Sequence, residues 1–204
     1  MGAQVSLLKN YMTNIVMFHY YIEPKVIPNL LTEYEIEYIK KESINKFVPS
    51  RIGFNGIVDD NLRKSETALL KSNDPIVNSI VRKCASLTNK SVENVERLQI
   101  LRYTEGGHYQ FHQDVPTTSD INKRLYTVII ALNDDYEGGE TMFPNLDIKY
   151  KLKKGGALFF HTVDNHEQIT SMALHGGQPV KSGEKWVCNL WVWNCPIPEL
   201  HHVR

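Results

Sequence analysis

Apolar residues recur at helical spacing in the first half of the chain and at strand spacing in the second. Thr32 precedes a segment, 33–45, in which Tyr34, Ile36, Tyr38 and Ile39 fall toward one face. A threonine there can accept a bond from the first turn, so it is the expected N-cap. Asp74-Pro75 opens a second expected helix, with proline in the first turn where its missing N–H is no loss, and Ile76, Val77, Ile80, Val81 and Cys84 form its apolar stripe. Between the two, 48–66 is polar, carries Gly53 and Gly56, and reads as a long loop or hairpin. Loops of that length are uncommon unless they serve a function.

From Leu98 onward the expected elements are strands, at 98–103, 109–114, 124–132, 140–143, 157–160, 172–175 and 186–193. Asp134-Asp135, Gly138-Gly139, Gly155-Gly156, Gly176-Gly177 and Ser182-Gly183 punctuate them. Closely spaced strands with glycine-rich turns predict a β-sandwich or jelly roll. The runs 124–132 and 186–193 are apolar on both faces, which requires central strands. A barrel interior is expected on one side of them and the N-terminal helices on the other.

Composition narrows the class. The 204 residues are 42% hydrophobic, with Gly 12 and Pro 9, enough core for an ordinary globular domain and too little bias for a collagen-like or disordered chain. Lys+Arg 23 balance Asp+Glu 23, so no basic footprint for nucleic acid or an anionic membrane is present. The charge-free runs 10–22 and 186–198 mix polar residues with apolar ones and are too short to span a bilayer, and no secretory signal is visible. Cys84, Cys188 and Cys195 lack metal-type spacing and read as reduced thiols in a cytoplasmic or other soluble intracellular setting. Met1-Gly2-Ala3-Gln4-Val5-Ser6 fits the N-myristoylation pattern, which gives a peripheral membrane option through Gly2; one acyl chain without a polybasic cluster binds only marginally.

The candidate chemistry starts at His112 and Asp114. At i, i+2 in a strand both side chains point to one face, so an imidazole and a carboxylate can occupy adjacent corners of one metal. Two histidines and one carboxylate with open positions suit non-haem Fe(II) oxygenases. A third ligand must come from a distant strand, and His161, His166 and His175 are the candidates. His175 is favoured because it sits at a strand mouth before Gly176-Gly177, though spacing alone leaves the choice open. Lys185 opens the strand 186–193, and alternation places it with Val187, Asn189, Trp191 and Trp193 on the inward face. A lysine in an apolar barrel is costly unless an anion pairs with it.

Several stretches together resemble the prolyl 4-hydroxylase family of Fe(II)- and 2-oxoglutarate-dependent dioxygenases, in that family's order, from about 27 to 193. They are Leu98-Gln99-Ile100-Leu101-Arg102-Tyr103 with Tyr109-Gln110-Phe111-His112-Gln113-Asp114; Arg124-Leu125-Tyr126-Thr127 with Gly138-Gly139-Glu140-Thr141-Met142-Phe143-Pro144; and His175-Gly176-Gly177-Gln178-Pro179-Val180 with Gly183-Glu184-Lys185-Trp186 and Trp191. Asp74-Pro75-Ile76-Val77 and Arg63-Lys64-Ser65 are similar to the family's N-terminal portion.

The resemblance implies an α+β, mainly β fold: a double-stranded β-helix (jelly-roll or cupin-like) core at about 98–195, with an N-terminal helical and lid portion at about 1–97, in one catalytic domain 1–204. It implies Fe(II) on His112, Asp114 and His175, and 2-oxoglutarate with its distal carboxylate on Lys185 and with Tyr103 and Thr127 helping to seat it. Tyr109 and Trp191 would line the catalytic pocket, while Arg63, Ser65, Glu96 and Arg124 would contact a proline-containing, collagen-like or Pro-rich peptide. The implied reaction is peptidyl-proline 4-hydroxylation coupled to decarboxylation of 2-oxoglutarate to succinate and CO2, consuming O2, with ascorbate maintaining the iron. The loop 48–66 would be a lid. The chain resembles the small members of the family, because no separate peptide-binding region or endoplasmic reticulum signal is visible. Lys185 stands where the hypoxia-pathway branch has arginine, and Trp193 where some small relatives have histidine. Two alternatives stay open on sequence: an oxygenase of the same cofactors acting on another residue or small molecule, and a non-catalytic jelly-roll module for Pro-rich peptides.

Overall fold

The computed structural model describes residues 18–53, 56–115 and 122–197, so the Gly2 expectation lies outside the described residues. Two helices form where the caps direct. Helix α1 (Glu33–Ser43) starts at a reciprocal capping box: Thr32 Oγ1 accepts from Glu35 N–H at 3.3 Å, and the Glu35 carboxylate accepts from Thr32 N–H at 2.8 Å. It ends two residues before the expected 45, where Ile44 N–H turns back to the Lys41 carbonyl. Ile36 and Ile39 are buried, but Tyr34 is exposed, contrary to the apolar face expected for it. Helix α2 (Pro75–Ala85) starts on Asp74, whose carboxylate accepts from the N–H groups of Ile76 and Val77. A Lys83–Glu35 ion pair at 2.7 Å ties the two helices.

Among the described residues there are fourteen strands, numbered in chain order. The first seven are β1 (Lys25–Ile27), β2 (Val48–Pro49), β3 (Arg63–Lys64), β4 (Glu66–Leu69), β5 (Gln99–Tyr103), β6 (His108–His112) and β7 (Arg124–Ala131). The rest are β8 (Glu137–Gly138), β9 (Thr141–Phe143), β10 (Ile148–Tyr150), β11 (Ala157–His161), β12 (His175–Gly177), β13 (Val180–Ser182) and β14 (Lys185–Trp193). A seven-stranded sheet runs β1-β11-β7-β14-β5-β4-β2, a five-stranded sheet runs β10-β9-β12-β6-β3, and β8 pairs with β13. Every strand pairing among the described residues is antiparallel, giving two facing sheets of jelly-roll type.

The central position expected for 124–132 and 186–193 holds, since β7 and β14 are neighbours in the middle of the large sheet. Val128, Ile130, Cys188, Leu190 and Val192 pack with the helices in one core, while Ile129, Ala131 and Val187 join Phe143, Leu158 and Phe160 in a second core between the sheets. The stretch 48–66, expected as a long loop or hairpin, turns back through an antiparallel bridge between Ile52 and Ile57 and also holds the short edge strands β2 and β3, one on each sheet. Two expectations need correction. The strand expected at 172–175 is a 3-10 turn, Ser171–Ala173, capped by Thr170 Oγ1, and His175 opens a strand rather than closing one. Pairing on β6 stops at His112, so Asp114 lies beyond the strand end. No helix of the described residues is long and apolar enough to cross a membrane.

Candidate functional site

Cross-strand register assembles a metal-ligand set. His175 on β12 sits directly opposite His112 on β6, and Asp114 follows two residues after His112. His112 Nε2 lies 3.5 Å from Asp114 Oδ1, and His175 Nε2 lies 3.5 Å from Asp114 Oδ2. One ligand atom from each falls within 4.8 Å of the others, and among the described residues this is the one cluster of its kind. The other two histidine candidates are elsewhere. His161 ends β11 among the rings of Tyr126 and Phe159, and His166 meets His19 at a tilted 57°, ring centroids 4.6 Å apart.

The surroundings prepare these three side chains. Each imidazole points Nδ1 at a backbone carbonyl, His112 at Gln110 (2.8 Å) and His175 at Ala173 (3.0 Å). A carbonyl only accepts, so Nδ1 carries the proton and Nε2 presents its lone pair inward. Burial pushes the His175 pKa down to about 4, so the ring is neutral and ready to ligate at neutral pH. Burial pushes Asp114 the other way, but the neighbouring His175, His112 and Arg124 outweigh it and hold the carboxyl well below the usual range. Thr127 Oγ1 donates to Asp114 Oδ2 at 2.7 Å, which fixes the carboxylate plane.

Behind this cluster the inward face of β14 forms a ladder of chemically distinct rungs. At the deep end Lys185, 6% exposed, pairs in register with Tyr103, whose ring centroid is 5.3 Å from the ammonium. The ammonium donates to the Gly139 carbonyl at 2.7 Å and has no carboxylate within ion-pair distance among the described residues. Burial lowers its pKa to about 8, partly offset by the Glu140 carboxylate. Next come Val187, Leu101 and Ala131, then Asn189 opposite Gln99, then Trp191 opposite Thr127. The Asn189 Oδ1, Gln99 Oε1, Gln113 Oε1 and Trp191 Nε1 atoms are buried without a hydrogen-bond partner.

Those observations test the implied cofactors. Two neutral imidazoles and one carboxylate are a suitable donor set for Fe(II). A buried ammonium with one carbonyl partner, beside orphaned polar atoms, suits a small dicarboxylate. The residues present fit both groups.

The cluster opens into a cleft of about 630 Å³. Tyr109 stacks on His112 with centroids 3.6 Å apart, and the Arg63 guanidinium lies 4.6 Å over Tyr109. Ser65 does not line the cleft; its hydroxyl accepts from Arg63 Nε and donates to Ser50, holding the guanidinium from behind. On the opposite wall Arg124 meets Glu96 in a two-pronged pair at 2.6 and 2.9 Å, stacks 4.1 Å over Trp191, and donates to the Asp114 carbonyl at 3.2 Å. Trp193 Nε1 donates to the same Glu96 at 2.6 Å. Sequence reasoning did not single out Arg51, Gln99 or Asn189 for the site; a polar residue on the inward face of an apolar strand was the available signal for Asn189.

The chain is similar to known proteins in sequence and in fold. The 2OG-Fe(II) oxygenase superfamily profile matches residues 98–193. A putative prolyl 4-hydroxylase of Acanthamoeba polyphaga mimivirus is 34% identical over 181 residues, covering 84% of this chain and 74% of that protein. Prolyl 4-hydroxylase 2 of Arabidopsis thaliana is 32% identical over 160 residues, covering 66% of this chain and 54% of that one. Among solved structures, the viral collagen prolyl hydroxylase vCPH of Paramecium bursaria Chlorella virus-1, in its 2OG complex, superposes with a TM-score of 0.70 at 29% identity, over 84% of this chain and 96% of that one.

Proposed function

The chain belongs to the prolyl 4-hydroxylase family of 2-oxoglutarate- and Fe(II)-dependent oxygenases, and from that premise we propose that it hydroxylates a proline of a peptide lying in the cleft. The observation that carries the reading is the His112–Asp114–His175 cluster, with His112 and Asp114 lining the cleft and His175 and Lys185 buried. Bound iron would couple reduction of O2 and decarboxylation of 2-oxoglutarate to transfer of one oxygen atom to the substrate. The protein supplies the rest. His112, His175 and Asp114 would hold the metal, and the Thr127 hydroxyl keeps the Asp114 carboxylate from rotating. Lys185 neutralises the distal carboxylate of the co-substrate, with Tyr103 beside it. Tyr109 and Trp191 wall the pocket and exclude water. The Glu96–Arg124 pair braces Trp191 and the Asp114 backbone, and its exposed edge is available to the peptide.

The test is incubation with Fe(II), 2-oxoglutarate, O2, ascorbate and a panel of collagen-like and Pro-rich peptides. Hydroxyproline and succinate should appear together, one for one. Succinate with oxidation only of a non-proline residue would replace the reading with the broader oxygenase one. Peptide binding with no succinate under any condition would leave a binding module.

A further inference from the structure

The cleft is lined by four arginines, Arg51, Arg63, Arg97 and Arg124, and by two carboxylates, Glu96 and Asp114. Both carboxylates are committed, Glu96 to Arg124 and Asp114 to the metal-ligand cluster. Among the described residues Arg51 and Arg63 have no such partner. Every hydrogen bond they make goes to an uncharged group: Arg51 Nη1 to the Gly56 carbonyl, Arg63 Nη1 to the Arg51 carbonyl, and Arg63 Nε to Ser65 Oγ. Among the described residues neither has a carboxylate within ion-pair distance. Arg63 is nonetheless only 5% exposed. A guanidinium held that far out of water is stabilised strongly by an anion it can grip with two N–H groups.

The location says where that anion would come from. His112, Tyr109 and Arg63 form a three-layer stack, so the guanidinium stands two layers from a metal ligand. Consecutive Cα atoms are about 3.8 Å apart, which puts the side chain of a residue one or two positions from the reacting one within reach. Arg51 is joined to Arg63 through its own carbonyl, is exposed, and extends the cationic wall toward solvent. Metal and dicarboxylate do not neutralise this wall, because the co-substrate's charge is met by Lys185 and the iron.

Resting on the prolyl-hydroxylation reading, we infer that the cleft selects peptides carrying an Asp or Glu one or two positions from the target proline, with Arg51 and Arg63 receiving the carboxylate. The experiment uses one Pro-containing peptide in which each of the four flanking positions is set in turn to Asp, Asn or Lys, with hydroxyproline formation measured at saturating 2-oxoglutarate. At one or more positions Asp should exceed Asn by about fivefold or more in kcat/KM, and Lys should fall below Asn. Raising ionic strength should compress the difference, since the wall is partly open to solvent. Arg51→Gln should shrink the Asp-to-Asn ratio and Arg51→Lys should restore part of it, which a purely structural role for Arg51 would not do. Arg51 is the better probe because replacing Arg63 also disturbs the stack on His112. Equal rates for Asp and Asn at all four positions would overturn the inference and leave prolyl hydroxylation standing. A Gln variant with the wild-type ratio, or one whose loss falls on the 2-oxoglutarate dependence instead, would also overturn it. Succinate formation with no hydroxyproline on any peptide would remove the reading beneath it.

Discussion

Single side chains carry three expectations. Asp114→Ala removes one of three candidate ligands and the only negative charge of the His112–Asp114–His175 cluster, so hydroxylation should vanish and Fe(II) binding weaken while the fold persists; metal titration beside circular dichroism checks it. His161→Ala, on the far end of β11, is the control, and a loss equal to that of His175→Ala would reassign the third ligand. Thr127→Val keeps volume but deletes the bond to Asp114 Oδ2. Loss of such an outer hydrogen bond costs roughly 10–100-fold in metal affinity or activity, and Thr127→Ser should recover most of it. For Lys185 the sign follows from burial. With its pKa lowered to about 8, the free enzyme loses the ammonium as pH rises through that value, and kcat/KM for 2-oxoglutarate should fall above it. Bound carboxylate favours the charged form, so kcat should hold to higher pH. Lys185→Arg should remove the alkaline fall, because a guanidinium stays charged, at some cost in fit.

At the level of elements, β14 explains why so much was legible. Strict alternation over Lys185–Trp193 separates a helix-facing set from a cleft-facing set, and both sets are where alternation places them. Capping chemistry did the same for both helix starts. The misread stretch at 172–175 shows the limit. Three apolar residues carry no period, and a Thr170 hydroxyl bonded to Met172 N–H tips them into a turn. Edge strands β2 and β3 were illegible for a related reason, since two-residue strands exist only through their partners. One turn makes an element-scale prediction. Gly138 has φ +68°, and a Cβ there would meet the Pro179 carbonyl at 2.5 Å. Gly138→Ala should push apart β8 and β13 and shift the neighbouring Gly139 carbonyl that holds Lys185. The expected readout is a weaker 2-oxoglutarate dependence with metal affinity largely retained.

The whole molecule couples site to stability. The cluster joins β6 with the turn after it and β12 of the small sheet, while Lys185 and Thr127 belong to the large one, so a metal and a dicarboxylate held by these residues would bridge both sheets. Ligands that bind only the folded state stabilise it by mass action, about 2.7 kcal/mol at a hundredfold excess over Kd. For a chain of 204 residues that is a rise in Tm of roughly 5–10 °C, reversed by a chelator. Melting with and without Fe(II) and 2-oxoglutarate measures it, and an unchanged Tm would mean the groups do not meet the folded protein there.

Helix starts, the doubly apolar central strands, the His112–Asp114 pair and the inward direction of Lys185 are local properties, written in caps and alternation, and the amino-acid order alone determines them. The third ligand is not local. Position at a strand mouth favours His175 over His161 and His166 without deciding between them, and only antiparallel pairing of β12 with β6 sets His175 opposite His112. The cationic wall is the same kind of fact. Arg51 and Arg63 lie among six charged residues of the cleft drawn from distant segments, and whether a charge is spent or spare depends on what folding brings beside it. Glu96 reaches Arg124 across 28 positions, and no carboxylate reaches Arg63 among the described residues. Pairing between remote residues is decided by strand register and packing, which is why the tertiary structure alone settles it.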